Sequence, residues 1–456
     1  MKILFVSLGC DKNLVDSEKM LGMLQEKGYT FTDDEAEADV VVVNTCCFIG
    51  DAKEESINTL LQMGELKDSG QVKALIAAGC LAQRYREEIQ KEIPQVDAII
   101  GTTAIDEIVA ALEEILAGQK QNHYEDINAA PVTETNRVVT TGGHFAYLKI
   151  AEGCDKHCTY CIIPKVRGNY RSVPKESLLK EATELADKGV RELILVAQET
   201  TLYGMDLYGK KELPRLLHEL AKIPGIYWIR ILYCYPEEIT DELIDAIAAE
   251  PKVCNYLDIP IQHASDNVLK RMGRRTDQAE LRAIIGKLRE KIPDICLRTT
   301  LISGFPGETQ EDFEELYRFV NEMEFDRLGV FPYSQEEDTP AATMEDQVPQ
   351  EVKEFRRDEL MELQQAIAFD KAEDMVGRIL TVMIEGKVAD EETYVARTYR
   401  DAPNVDGYLF VNTSANLMTG DFVKVLVTDS NEYDLIGEIY LSLIHISEPT
   451  RPISIS

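Results

Sequence analysis

The chain has 456 residues, 45% of them hydrophobic and 28% charged, enough for two or three domains with cores of their own. Its 48 basic and 81 acidic side chains leave a net charge of −33, a surface that repels phosphate backbones and suits a basic protein partner. No apolar run reaches membrane length, and the start "MKILFVSLGCDKN" is too short for a signal peptide, so it is expected to be a buried strand of a cytoplasmic protein. Ten cysteines in that setting are expected to be thiolate ligands or core fillers, not disulfides.

From the start, apolar strands alternate with amphipathic helices. "KILFVSLGC" precedes a helix near Asp16 to Glu26, "DVVVVNTC" one near Ala52 to Met63, and "VKALIAAGC" one near Arg84 to Glu92; "VDAIIG" adds a fourth strand. Continuous apolar strands with helices between them predict a doubly wound parallel α/β sheet over residues 1–118. Residues 119–143 are polar and aperiodic, and are expected to be a linker with at most a short edge strand. A second alternation fills 144–335, with strands at "FAYLKI", "ELILVAQ", "YWIRILY", "YLDIPIQ", "CLRTTLIS" and "RLGVFPYS". Six βα units predict a partial (β/α)6 barrel, two units short of full closure. Residues 336–374 form a breaker-rich linker and a charged helix from Gln350, and five short strands between Gly, Asp and Asn turns predict a small antiparallel β-barrel over 375–440. The last sixteen residues, 441–456, continue no pattern and are expected to be a non-native tail.

Two groups of cysteines carry the chemistry. "GCDKHCTYC" sets Cys154, Cys158 and Cys161 in the loop after the first strand of the partial barrel, at the carboxyl end where barrel enzymes place their reactions. Three thiolates on an iron–sulfur cubane leave one iron free to take the amino and carboxylate groups of S-adenosylmethionine. The alternative is a zinc site completed by His157 or His263, although zinc ribbons normally come as two CxxC pairs. Cys10, Cys46 and Cys80 each end a strand of the first sheet, at the edge where open α/β sheets bind ligands, so three thiols far apart in sequence are expected to converge there. The alternative is that cysteines simply pack well after strands. Cys47 points away from its neighbour Cys46, which is taken as the ligand; Cys234, Cys254 and Cys296 are expected to be core. Beyond the six cysteines no catalytic residue is expected.

The CxxxCxxC spacing, with Tyr160 before the last cysteine, resembles the radical S-adenosylmethionine superfamily over about residues 145–334. Two cysteine groups in this order before a terminal barrel resemble the methylthiotransferase family, through "SLGCDKNLVDSE", "NTCCFI", "AAGCLAQR", "GCDKHCTYCIIPKVRG", "DIPIQHAS" and "SGFPGET". "RGNYRS" and "AQETTLYG" resemble its RimO type, whose target is an aspartate of the twelfth protein of the small ribosomal subunit. The resemblance implies two 4Fe-4S clusters. One on Cys154, Cys158 and Cys161 would generate a 5′-deoxyadenosyl radical, and one on Cys10, Cys46 and Cys80 would present sulfur. It also implies a reducing electron donor such as flavodoxin or ferredoxin, and a TRAM-like terminal barrel. The same chemistry on a tRNA adenosine is the alternative.

Other candidates lie at the barrel mouth. Gln198 and Gln262 end the second and fourth strands, and Ser303 and Gly304 open "SGFPGET"; all four are candidate contacts for S-adenosylmethionine, with a turn or structural role as the alternative. Lys165, Arg167 and Arg171 could steady a cluster or a target carboxylate, or simply sit on a solvated loop. In the terminal barrel five basic against eleven acidic residues leave −6, a poor grip for tRNA and a reasonable one for a lysine- and arginine-rich ribosomal protein.

Overall fold

The computed structural model describes residues 1–440, so the expected tail at 441–456 lies outside the described residues. The chain forms two compact units, Met1–Ile367 and a second beginning at Ala368.

In the first unit, five strands form one parallel sheet: β1 (Lys2–Ser7), β2 (Thr30–Thr32), β3 (Val40–Thr45), β4 (Ala74–Ala78) and β5 (Ala98–Ile100), in the order β2-β1-β3-β4-β5. The Val-rich β3 is buried along its whole length, because its alternate residues serve two apolar layers. Val41 and Val43 pack with Leu75, Ala77 and Ile99 on one side, while Val40 and Val42 pack with Ile76 and Ile100 on the other. The helices covering these layers are α1 (Asp11–Glu26), α2 (Gly50–Asp68), α3 (Gly79–Arg84), α4 (Arg86–Glu92) and α5 (Ile108–Leu116). Two of them differ from expectation. The first begins at Asp11, directly after Cys10. The third is preceded by a separate short helix, α3, so that Cys80 lies in a first helical turn instead of closing a strand. The apolar run "ALIAAGCLA" shows no change of period to mark that switch. The three-residue edge strand β2 was too short to carry a pattern.

The polar segment 119–143 contains no strand but is anchored in the core. Arg137 is 4% exposed and donates through Nε to Glu18 Oε2 at 2.7 Å and through Nη1 to Glu181 Oε1 at 2.9 Å. Beyond it, β6 (Phe145–Lys149) opens the second sheet. Ala151–Glu152 and Arg171–Ser172 form a short antiparallel pair, β7 and β8. Then β9 (Glu192–Val196), β10 (Trp228–Ile231), β11 (Val253–Asp258), β12 (Cys296–Ser303) and β13 (Arg327–Pro332) complete a six-stranded sheet in the order β13-β12-β11-β10-β9-β6. Every neighbouring pair is parallel, as six βα units require. Cys234, Cys254 and Cys296 are buried in or beside these strands.

The second unit is a closed five-stranded barrel of β14 (Ile379–Lys387), β15 (Thr393–Thr398), β16 (Leu409–Asn412), β17 (Phe422–Asn431) and β18 (Asp434–Ile439), in the order β14-β15-β16-β18-β17. Four of its pairings are antiparallel and one, β16 with β18, is parallel. The all-antiparallel expectation meets a parity limit here, because an odd number of strands cannot alternate direction all the way round a closed ring. Among the described residues no helix is long and apolar enough to cross a membrane.

The Arg137 contacts make a direct test of how the 119–143 segment is held. Arg137→Ala leaves Glu18, which is fully buried, without its cation, and is expected to cost about 3–5 kcal/mol. The readout is a fall in the denaturation midpoint, with the exposed pair variant Lys2→Ala leaving that midpoint in place.

Candidate functional site

The sheet order reverses direction between β1 and β3, and the loops after these two strands form the crevice where doubly wound sheets take ligands. Cys10 caps the start of α1 in that crevice, Cys46 directly follows β3, and Cys80 enters from the neighbouring β4. The crevice is braced by amides. Asn13 donates through Nδ2 to the carbonyls of Leu8 and Thr45, both at 3.0 Å, tying together the loops that carry Cys10 and Cys46. Asn44 Nδ2 answers by donating to Asn13 O at 2.9 Å. The Ser56 hydroxyl accepts from the backbone N–H of Cys46 and donates to its carbonyl, each at 2.9 Å. Gly9 adopts φ +86°, and a Cβ there would stand 2.6 Å from Cys46 Cβ and 2.8 Å from its Sγ, so only glycine lets the two loops approach this closely.

These three thiols feel one another. Cys10 is an electrostatic neighbour of both Cys46 and Cys80, and Cys47 is a neighbour of Cys46 and Cys80 with Arg84 beside it. Burial pushes the Cys80 thiol up to about 12, with Arg167 pulling the other way, and burial pushes Cys47 up to about 11. A buried thiol held this high keeps its proton until a metal takes its place.

The second group sits at the carboxyl end of β6. Cys154 and Cys158 are buried, Cys161 is partly covered, and the loop between them is held by the mouths of three later strands. From β9, Gln198 accepts from the N–H of Gly153 at 2.9 Å. After β10, Tyr235 Oη lies 3.7 Å from Cys158 Sγ, and Lys156 pairs with Glu237 at 3.5 Å and with Glu238. After β11, Thr159 donates through its N–H to Met272 O at 2.9 Å. Burial pushes Cys154 up to about 12 and Cys161 higher still, while Arg274 stands as the cation beside Cys158 and Cys161. Three non-glycine residues around this mouth have left-handed backbones: His157 (φ 52°), Tyr233 (φ 61°) and Gln262 (φ 70°). Such conformations cost free energy and persist where surrounding contacts impose them, which fits a built site.

The buried cation Arg167, at the end of α6 (Ile163–Arg167), lies between the two groups. Its Nε donates to Cys80 Sγ at 3.2 Å, and its Nη1 donates to Asp16 at 2.7 Å and to Glu152 at 3.2 Å. Its Nη2 donates to Asn13 Oδ1. Of the three basic residues expected near the loop, only Arg167 reaches a thiol. Lys165 is exposed and 3.9 Å from Asp338, and Arg171 donates to the carbonyls of Asn169 and Arg167.

The remaining candidates separate. Gln198 links Gly153 to Glu152, whose Oε1 accepts from Gln198 Nε2 at 2.9 Å. Gln262 stands strained at the mouth. Ser303 is fully buried and donates to Lys353 O at 2.9 Å, and a Cβ on Gly304 would meet Lys353 Cγ at 2.3 Å, so packing against the helix Gln350–Glu373 accounts for both. His157 is exposed, and His263 is buried with Nδ1 accepting from Ser265 N–H. Among the described residues no three His, Cys, Asp or Glu side chains meet at one point as a single chelated ion requires. A cubane puts its protein ligands on three different irons, and so asks for thiols around a space.

Sequence reasoning missed Glu199, which is buried beside Cys154 and raised by burial to about 7, with Oε2 lacking a hydrogen-bond partner. Its one visible signal was a carboxylate inside "AQETT" at a strand end.

Comparison with known proteins covers both units. Residues 2–101 match the uncharacterized protein family UPF0004, 148–320 the radical SAM superfamily, and 376–439 the TRAM domain. Curated relatives include the ribosomal protein uS12 methylthiotransferase RimO of Lachnoclostridium phytofermentans, 63% identical over 96% of this chain and 99% of the relative. The RimO proteins of Clostridium botulinum, strain Loch Maree, and Desulfitobacterium hafniense are 48% and 49% identical, over 97% and 96% of this chain and 99% and 98% of theirs. Among solved structures, the radical S-adenosylmethionine methyltransferase TsrM of Kitasatospora setae aligns at a TM-score of 0.54 and 13% identity, covering 75% of this chain and 76% of its own.

The ligands of the first thiol group can be told from Cys47 by iron content. Replacing Cys10, Cys46 or Cys80 by Ala is expected to lower the iron and sulfide of anaerobically reconstituted protein, while Cys47→Ala leaves both unchanged. Iron and sulfide analysis with visible absorption spectra measures it.

Proposed function

The chain belongs to the RimO family of ribosomal protein uS12 methylthiotransferases, and from that premise we propose that it inserts a methylthio group at the β-carbon of an aspartate in this ribosomal protein. The observation that carries the reading is the pairing, within one compact unit, of two three-thiol groups at the carboxyl ends of parallel strands. Iron–sulfur and S-adenosylmethionine chemistry comes with the radical SAM superfamily. The finer assignment is two 4Fe-4S clusters, one on Cys10, Cys46 and Cys80 and one on Cys154, Cys158 and Cys161. The braced loops that carry the cysteines and a cation beside each group (Arg167 and Arg274) support it.

When bound, these groups supply the electron that splits S-adenosylmethionine, the carbon radical that breaks an unactivated C–H bond, and the sulfur that replaces the hydrogen, none of which acid–base side chains can provide. The chain's own residues hold and aim. Gln198 pins the first residue of the cysteine loop, and Lys156, Thr159 and Tyr235 fix the rest of it. Glu199 and the strained Gln262 are the residues we assign to the polar end of S-adenosylmethionine. Glu199 fits because its spare carboxylate oxygen has no partner of its own. Ser303 and Gly304 remain candidate contacts at the same mouth, held in place by Lys353.

The domain assignment follows the same lines: a cluster-binding sheet over 1–118, a linker over 119–143, the radical core over 144–335, a linker and helix over 336–374 and a TRAM-like barrel over 375–440. An acidic barrel within a chain of net charge −33 favours a basic protein over a nucleic acid. The working compartment is the cytoplasm, with flavodoxin or ferredoxin as the class of electron donor.

An anaerobic reaction of the protein with reductant, S-adenosylmethionine and small ribosomal subunits tests this. Mass spectrometry is expected to find a methylthio group on an aspartate of uS12; modification of tRNA with uS12 untouched would overturn the substrate. Cys158→Ala is expected to abolish all turnover. Cys46→Ala is expected to keep cleavage to methionine and 5′-deoxyadenosine while stopping sulfur insertion, and joint loss of both would contradict the division of labour.

A further inference from the structure

Arg167 belongs by sequence to the radical core but spends its donors on the other thiol group. Its Nε reaches Cys80 Sγ at 3.2 Å, and its Nη2 reaches Asn13, the amide that ties the Cys10 and Cys46 loops together. The opposite edge of the guanidinium donates to Asp16 at 2.7 Å and Glu152 at 3.2 Å. From Glu152 the chain of contacts continues through Gln198 at 2.9 Å to the N–H of Gly153 at 2.9 Å, the residue before Cys154. Lys149 donates to Glu152 at 2.6 Å and to Asp16, so two cations face two carboxylates in a buried, charge-balanced quartet.

We propose that Arg167 is a positioning residue shared by the two thiol groups: its Nε–H bond orients Cys80 and raises the electron affinity of the cluster held there, while Asp16 and Glu152 lock the guanidinium in register with the radical cysteine loop. This rests on the reading of Cys10, Cys46 and Cys80 as cluster ligands. Hydrogen bonds to ligand sulfurs and nearby charge set the potential of such clusters, and a donor on a thiolate favours the more negative, reduced state. A lysine cannot replace this group, because the site uses donors on three sides of one planar fork and an ammonium is a point charge on a flexible stem.

The test uses the full chain with Cys154, Cys158 and Cys161 replaced by Ala, so that any iron reports the N-terminal group alone. Anaerobic reconstitution is followed by iron analysis and a potentiometric titration read by electron paramagnetic resonance, with Arg167 native, Arg167→Lys or Arg167→Gln. The expected result is a reduction midpoint more negative in both variants than in the parent, with Arg167→Lys keeping the parent's unfolding midpoint. Loss of iron from a variant that stays folded by circular dichroism also supports the proposal, since it reproduces a misplaced Cys80. Variants that keep their iron at the parent's midpoint would overturn it, as would loss of the fold in both, which would make Arg167 a purely structural ion pair. A parent that takes up no iron would instead bring down the cluster reading itself, before Arg167 is touched.

Discussion

A charge taken out of water must find opposite charge and hydrogen-bond partners, or the desolvation cost is not recovered. That constraint organises the seam between the two sheets of the first unit. Arg167 and Lys149 are buried, and so are Asp16 and Glu152, which take their donors. One carboxylate comes from α1 of the first sheet; the other and both cations come from the barrel side. Neither side could bury its share alone, so the two sheets are held in one register by electrostatics as well as by apolar contact. A second quartet of the same charge balance, Glu18 and Glu181 with Arg137 and Lys19, stands further along α1. The repeated device explains why a helix with buried Asp16, Glu18 and Lys19 is not an error of patterning.

Rigidity of this kind suits a reaction that must bring sulfur to a carbon radical before anything else reaches it. Placement within a fraction of an ångström comes from residues locked by their neighbours, and side chains on free loops do not supply it. The cysteine loops here are locked several times over, by Asn13, Asn44 and Ser56 on one side and by Gln198, Lys156 and Thr159 on the other. The left-handed backbones of His157, Tyr233 and Gln262 show that local preference was overridden at this mouth. Tyr233 joins the two sheets as well: its ring lies under Lys12 Nζ at 3.3 Å, and its hydroxyl is 3.3 Å from Asp11, next to Cys10.

Much of this was legible in the sequence. Strands end where apolar runs meet glycine, as before Cys10 and Cys80, or polar residues, as before Cys46, so cysteines at those ends could be placed at a common sheet edge from the sequence. The partners of those cysteines were not legible. Asp16 and Arg167 are 151 residues apart, and no local pattern says that they meet. A signal did exist in "YLKIAEGC", where Lys149 and Glu152 interrupt an otherwise apolar stretch and so demanded partners. Ser303 and Gly304 show a different limit. A Gly-rich turn at a strand end looks the same in sequence whether it admits a ligand or the flank of a helix, and the contacts of Ser303 and Gly304 with Lys353 were not legible there.

The terminal barrel carries a separate argument about the partner. Gripping a polynucleotide takes cations free to reach phosphates. Arg397 is fully buried, with Nε donating to Glu385 at 2.6 Å and Nη1 to the carbonyl of Asp401 at 3.0 Å, so one of only five basic residues is spent inside the barrel. Glu385 is spent with it, and the surface balance stays negative. Opposite charge steers encounter and like charge opposes it, so this balance suits a lysine- and arginine-rich protein better than a phosphate backbone. This charge argument is independent of the cysteines, and it favours the same substrate that the chain's family membership suggests.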